Sequence, residues 1–403
     1  MSEGLQPATR AVRAALETDG QHGAVVPPLH LSSTYAFAGF GQKRAYDYTR
    51  SGNPTRDALG DAIAELEGGA GAVITSSGMG AVTLVLQLLS PGDLLIAPHD
   101  CYGGTYRLFS CLARKGAFDV EFVDQTDPAA LAAAMARGPR LVWVETPSNP
   151  LLRIVDIRAV ARLCRLQGAV LVADNTFLSP VWQQPIALGA DLVVHSTTKY
   201  LNGHSDVVGG AVVARASDLY EQIAWWGNCI GVTGAPFDAY LTLRGLRTLH
   251  ARLRAHEENA ERIVGLLVDH PAVERVHYPG LATHAQHAIA KAQQRGFGAM
   301  VSFELRGGVA EVQACLEGLR CFSLAESLGG VESLIAHPAS MTHAAMDPEA
   351  RQRAGIADTL IRLSIGIEAP EDLHRDLQAG LARAMASSRP PAAGAHSRLA
   401  QAC

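Results

Sequence analysis

The spacing of apolar residues changes character near residue 57. Before it, Pro27, Pro28, Pro54 and the glycines Gly20, Gly23, Gly39, Gly41 and Gly52 interrupt every periodic stretch. Residues 1–60 are therefore expected to form an extended arm. Beyond it, Leu59, Ile63 and Leu66 recur at helical spacing and predict a helix over 56–66. Short apolar runs then alternate with amphipathic segments. The runs at 73–74, 93–96, 118–123, 141–144, 170–172 and 192–194 read as buried strands, with another at 207–213 after a Gly-rich turn. Residues 80–89, 105–115, 128–136 and 156–167 read as helices between them. Such alternation predicts an α/β fold with a mostly parallel sheet covered on both faces.

A long helical stretch at 239–270 is expected to bridge to a smaller α/β unit, with strands at 300–305 and 359–365 and helices at 309–319 and from 370 onward. The expected division is an arm at 1–60, a large unit at 61–255, a small C-terminal unit at 256–388 and a flexible tail at 389–403, where no apolar period survives. No internal repeat is visible.

Composition narrows the function. Of 403 residues, 48% are hydrophobic and 18% charged, a globular profile. A formal net charge of -5 with no Lys/Arg cluster argues against nucleic acid and against an anionic membrane surface. No apolar run approaches the roughly 18 residues that span a bilayer. The N-terminal stretch lacks the apolar core of a signal peptide. Seven cysteines without a C-x-x-C point to reduced thiols and a cytoplasmic location. No metal is expected: His284 with His287, and His99-Asp100-Cys101, each lack a second ligand cluster.

Three features fall beyond the carboxyl ends of expected strands, where α/β sheets gather ligands. The strand at 170–172 runs into Asp174. The strand at 192–194 leads to His195-Ser196-Thr197-Thr198-Lys199, and Lys199 is one of only four lysines. The turn Thr75-Ser76-Ser77-Gly78-Met79-Gly80 opens a helix and offers backbone N–H groups to a phosphate. A lysine for an imine, an acid for a pyridine nitrogen and a phosphate cradle are the needs of pyridoxal 5'-phosphate (PLP). Asp174 would keep the ring nitrogen protonated, while Ser196, Thr198 and the backbone of Gly78 and Met79 would hold the phosphate. Each feature alone has an ordinary explanation: an acid after a strand caps helices, and a glycine turn lets a helix pack close.

Beyond these features, several blocks carry a family resemblance. They include residues 25–35, Gly52-Asn53-Pro54-Thr55-Arg56, residues 97–104, Glu145-Thr146-Pro147-Ser148-Asn149-Pro150, residues 196–206 and residues 325–333. With them the chain resembles the trans-sulfuration (Cys/Met metabolism) family of PLP enzymes nearly end to end. The resemblance implies fold type I of the PLP-dependent transferases, the aspartate aminotransferase-like fold. It implies Lys199 and Tyr102 as catalytic residues, with Tyr102 stacked on the cofactor. Tyr48 and Arg50 would reach the phosphate of a neighbouring subunit, in a homotetramer built as a dimer of dimers with shared sites. Arg362, Asn149 and Ser327 would grip an amino-acid α-carboxylate, and Asp47, Arg107 and Glu326 would face the distal group of the substrate.

The activity implied is γ-replacement joining O-succinyl- or O-acetyl-L-homoserine and L-cysteine into L-cystathionine. Cleavage of L-cystathionine to L-cysteine, 2-oxobutyrate and ammonia, and sulfhydrylation of the acyl-homoserine by sulfide, are the alternatives. Intact Lys199, Asp174, Tyr102 and Arg362 stand against a scaffold that binds cofactor without turnover. One departure concerns the arm, which reads Arg50-Ser51-Gly52-Asn53-Pro54. Enterobacterial-type members carry a second Arg where Ser51 stands, and without it a succinyl carboxylate loses a cationic partner.

Overall fold

The computed structural model describes residues 4–344 and 348–387. The tail expected at 389–403 lies outside the described residues, as does residue 388. The larger sheet is built from β1 (Gly71–Thr75), β2 (Leu94–Pro98), β3 (Asp119–Val123), β4 (Leu141–Glu145), β5 (Val170–Asp174), β6 (Leu192–Ser196) and β7 (Gly210–Ala214). Their spatial order is β1-β7-β6-β5-β4-β2-β3. Strands β2 to β6 are parallel, whereas β7 runs antiparallel to both neighbours.

The central strands are near-continuous apolar runs because helices cover both faces. In β4, Trp143 packs with Leu84, Val85 and Phe109 on one side, while Val142 and Val144 pack with Val160, Cys164 and Leu171 on the other. That alternation is the strand period of two. It leaves the carboxyl ends of β1, β2, β4, β5 and β6 along one edge, and residues that end strands there share a single cleft.

A second sheet, in order β10-β11-β12-β9-β8, uses β8 (Val273–His277), β9 (Met300–Leu305), β10 (Ser323–Leu324), β11 (Leu334–Ala336) and β12 (Leu360–Ser364). Arg362 sits in β12 opposite Ser302 of β9. The bridging stretch is broken in two, Pro236–Leu246 and Leu249–Val268, with Arg247-Thr248 between them. The long second helix buries Leu253, Ala260, Ile263 and Leu267 against the small sheet, in one core with Phe303, Ile361 and Leu381. Further helices Ser217–Ile230 and Pro370–Ser387 complete the cover.

Helix starts follow local chemistry. Asn53 caps the helix Pro54–Glu67 by accepting from the N–H groups of Thr55 (3.0 Å) and Arg56 (3.2 Å), with Pro54 at its first position. The helix therefore starts inside the segment read as arm. Ser77 caps Gly78–Val85 by accepting from Gly80 N at 2.9 Å, and a 3-10 turn, Leu86–Leu88, follows. Among the described residues no helix is long and apolar enough to cross a membrane.

Candidate active site

A cavity of about 440 Å³ opens where the strand ends of the large sheet face the small sheet. Its lining includes Gly78, Met79, Tyr102, Asp174, Ser196, Thr198 and Lys199 from the large-sheet side. Asn149 comes from the loop after β4, and Glu326, Ser327 and Arg362 from the small-sheet side. Eleven of the residues expected from sequence thus meet in one place. Four do not: Asp47, Tyr48, Arg50 and Arg107 lie outside the lining within a single chain. Arg50 donates instead to Asn228 O (2.7 Å) and Oδ1 (2.8 Å). Tyr48 is half exposed, Arg107 is exposed on the helix Gly103–Arg114, and Asp47 pairs with Lys43 at 2.9 Å.

Lys199 Nζ donates to Ser327 Oγ at 2.6 Å. Burial, helped by the Arg362 cation and opposed by Glu326, pushes this amine down to about 8. Asp174 ends β5, and what exposure it keeps is toward the cavity. Burial pushes its carboxyl up, while the Thr176 hydroxyl and N–H (3.0 Å) and the nearby His195 pull it down. Arg362 donates through Nη1 to Asn149 Oδ1 (2.9 Å) and through Nη2 to the Ser327 carbonyl (2.8 Å). Burial brings its guanidinium down to about 10. Ser327 achieves both contacts, hydroxyl to lysine and carbonyl to arginine, from a left-handed backbone at φ +86°.

The phosphate end is shaped by glycine. A Cβ on Gly78 would lie 2.8 Å from Ser196 Cβ, and one on Gly210 would lie 2.2 Å from Ser77 O. The turn, the helix start and the Ser196 hydroxyl can approach one another only because both positions lack side chains. Thr176 Oγ1 accepts from Ser196 N at 2.9 Å, and Thr198 Oγ1 accepts from Gly209 N at 3.0 Å, so both hydroxyl-bearing residues are fixed to the backbone.

Glu145 is a lining residue that the sequence reading passed over. It ends β4 as Asp174 ends β5, the two are register partners, and it is 5% exposed. Its Oε2 accepts from Tyr102 N (2.9 Å) and its Oε1 from Asn149 N (3.3 Å). Burial and the neighbouring Asp174 carboxylate push its acid group well up. An acid closing a buried run was the signal, and it was read only at Asp174.

The chain belongs to the Cys/Met metabolism family of PLP-dependent enzymes, whose model matches residues 8–382. The fold is accordingly that of the type I PLP-dependent transferases. Among individual relatives, cystathionine gamma-synthase of Escherichia coli (strain K12) is 60% identical over 93% of this chain and 97% of its own length. The cystathionine gamma-lyase of Dictyostelium discoideum is 47% identical over the same shares of each. The crystal structure of cystathionine gamma synthase from Xanthomonas oryzae pv. oryzae in complex with cystathionine superposes with a TM-score of 0.94 at 65% identity, covering 95% of this chain and 99% of that one.

The residues present fit the family's cofactor. Asp174 is a carboxylate at the bottom of the cavity whose hydrogen bonds come from neutral Thr176 groups, so it can still meet a cationic ring nitrogen. The turn at Gly78 opens the helix Gly78–Val85 against the cavity, where its first backbone N–H groups, with the Ser196 and Thr198 hydroxyls, suit a phosphate. Lys199 is poised closer to its neutral, nucleophilic form than a solvated lysine.

Proposed function

We propose that this chain joins an O-acylated L-homoserine, succinyl or acetyl, to L-cysteine, releasing the acyl group as its acid and forming L-cystathionine. The observation that carries this reading is Arg362. Its guanidinium is buried, 3% exposed, and both its hydrogen bonds go to neutral acceptors, so the charge awaits a substrate carboxylate. The high identity to a synthase crystallised with cystathionine supports the choice of product.

Bound PLP supplies an electron sink for the charge left on Cα. Arg362, aligned by Asn149 and Ser327, would hold the α-carboxylate, which places Cα beside Lys199. Lys199 Nζ would then take the Cα proton as general base, assisted by a low proton affinity and a nearby hydroxyl. After loss of a Cβ proton the acyl group leaves Cγ, the cysteine thiolate adds there, and the protons are returned. Asp174 would face the ring nitrogen, Tyr102 the ring, and Gly78, Met79, Ser196 and Thr198 the phosphate. Glu326, with Asp47 and Arg107, would face the distal substrate group.

Tyr48 and Arg50, which miss the cavity of their own chain, would complete that of a neighbour in a homotetramer of paired dimers. A division into arm, cofactor-binding unit and small unit at 60, 255 and 388 goes with that assembly. A cytoplasmic location accords with free thiols at every described cysteine.

One observation favours a second reading, cleavage of L-cystathionine. Ser51 is neutral, and its hydroxyl is engaged by Asp47 Oδ1 (2.9 Å) and Tyr48 O (2.7 Å), so the arm offers no added cation for a succinyl group. Product analysis decides. We expect rapid L-cystathionine formation from O-succinyl- or O-acetyl-L-homoserine with L-cysteine, and little 2-oxobutyrate from L-cystathionine alone. The reverse pattern would establish the lyase, and preferential use of sulfide would establish a sulfhydrylase.

A further inference from the structure

Behind Asp174 lies a charged group that the reaction as described does not use. Glu67 is the last residue of the helix Pro54–Glu67, and its side chain is 0% exposed. That is a costly place for a carboxylate, because the carbonyls of a helix C-terminus already present negative charge. Buried carboxylates persist where a partner holds them. Glu67 Oε1 has two: His195 Nε2 at 2.7 Å and Asn175 Nδ2 at 2.8 Å. Its Oε2 meets no hydrogen-bond donor among the described residues.

These partners flank the cofactor-facing groups. Asn175 directly follows Asp174 at the end of β5, and His195 directly precedes Ser196 in β6. Gln183 extends the set by donating from Nε2 to Asn175 Oδ1 (3.1 Å) and to the carbonyl of Thr146 (3.0 Å), next to Glu145. The helix Pro54–Glu67 is thereby fastened to three strand ends through buried polar contacts. Asp174 pairs in register with Val194, so His195 and Asn175 lie on the opposite face of the sheet and act on Asp174 through the strand backbone.

We propose that Glu67 and His195 are positioning residues for Asp174: by holding Asn175 and His195 together, Glu67 ties the end of β5 to β6 and so fixes the strand end from which the Asp174 carboxylate faces the cofactor ring. The proposal rests on the placement of Asp174 at the ring nitrogen and is independent of which thiol or acyl group reacts. A purely structural network would stabilise the fold and leave the electronics of the bound cofactor alone. A positioning network changes both.

The test uses the holoenzyme. Glu67→Gln keeps the size and an acceptor for Asn175 but removes the charge. We expect the absorbance of bound PLP, recorded without substrate, to shift toward that of Asp174→Asn. Turnover should fall by about 10–100-fold, as for other outer-shell partners of functional groups, with substrate KM unchanged. His195→Gln should act in the same direction, and the double variant should lose no more than the worse single. A wild-type cofactor spectrum and kcat in Glu67→Gln would overturn the proposal, even if the melting temperature fell. Should Glu67→Gln not fold, His195→Gln gives the same decision. If Asp174→Asn itself leaves spectrum and turnover intact, the placement of Asp174 fails; if only Glu67→Gln does, the proposal alone fails.

Discussion

The floor of the cavity and its rim are made differently. On the floor and behind it, Glu145, His195 and Glu67 are 5%, 1% and 1% exposed, and their carboxylate and imidazole groups are held by partners at 2.7–3.3 Å. At the rim, Glu326 and Arg107 are exposed, Tyr102 is 43% exposed, and the arm residues Tyr48 and Arg50 face away from their own chain's cavity. Water screens a rim charge and weakens its pairing. A floor charge lies in a medium where interactions are stronger and errors cost more. The charges beside and behind Asp174 are thus fixed by packing, while the groups expected to meet the distal part of the substrate are left for a neighbouring subunit or the substrate to complete.

The largest effect that would test this contrast comes from the floor. Lys199→Ala should bind PLP yet lose turnover by about 10²–10⁴-fold or more in steady-state assays; near-wild-type turnover would dismiss the lysine as base. Next is Arg362→Leu, where we expect kcat/KM for the amino-acid substrate to fall by about 2–5 kcal/mol with cofactor content unchanged. A loss confined to cofactor content would move Arg362 out of the substrate side.

A titration sharpens the comparison further. Only the neutral Lys199 amine attacks an aldehyde, and this amine loses its proton near 8. Capture of PLP by the apoprotein, followed by absorbance, should therefore quicken about tenfold per pH unit below 8 and level off above it. A profile still rising at pH 10 would mean that the amine is not desolvated as described. The smallest effect belongs to the rim: Ser51→Arg should improve use of O-succinyl- over O-acetyl-L-homoserine by only about 0.2–1 kcal/mol. A gain far beyond that would show that the arm is not screened, and the contrast would fail there.

Much of the floor could be read from the sequence because a buried parallel strand leaves a plain signature. The run at 170–172 ending in Asp174, and the run at 192–194 ending before Ser196 and Lys199, fixed both the edge and the residues on it. Glu145 escaped although it closes β4 in the same manner, because its block had been read only for Asn149. Glu67 escaped for a different reason. A glutamate in a helical last turn ordinarily points to water, and its burial depends on His195, 128 positions away. In the small sheet, β9 and β12 were visible as apolar runs. Strand β8 was not, since Glu274 and Arg275 are exposed and its pattern is that of a polar loop. The break at Arg247-Thr248 was hidden because apolar spacing continues through it. Asp47, Tyr48, Arg50 and Arg107 carry no local pattern that marks a site, and only the family resemblance names them.

Ser302, the cross-strand partner of Arg362, donates from Oγ to the carbonyl of Pro150 at 2.6 Å, one residue from the Asn149 side chain that Arg362 binds. One rung of the small sheet, with a residue from each of two adjacent strands, therefore grips the same loop of the large one. In a chimera that exchanged C-terminal units between relatives, this loop and that rung would have to travel together. Parting them would leave two well-folded halves and a carboxylate clamp out of alignment.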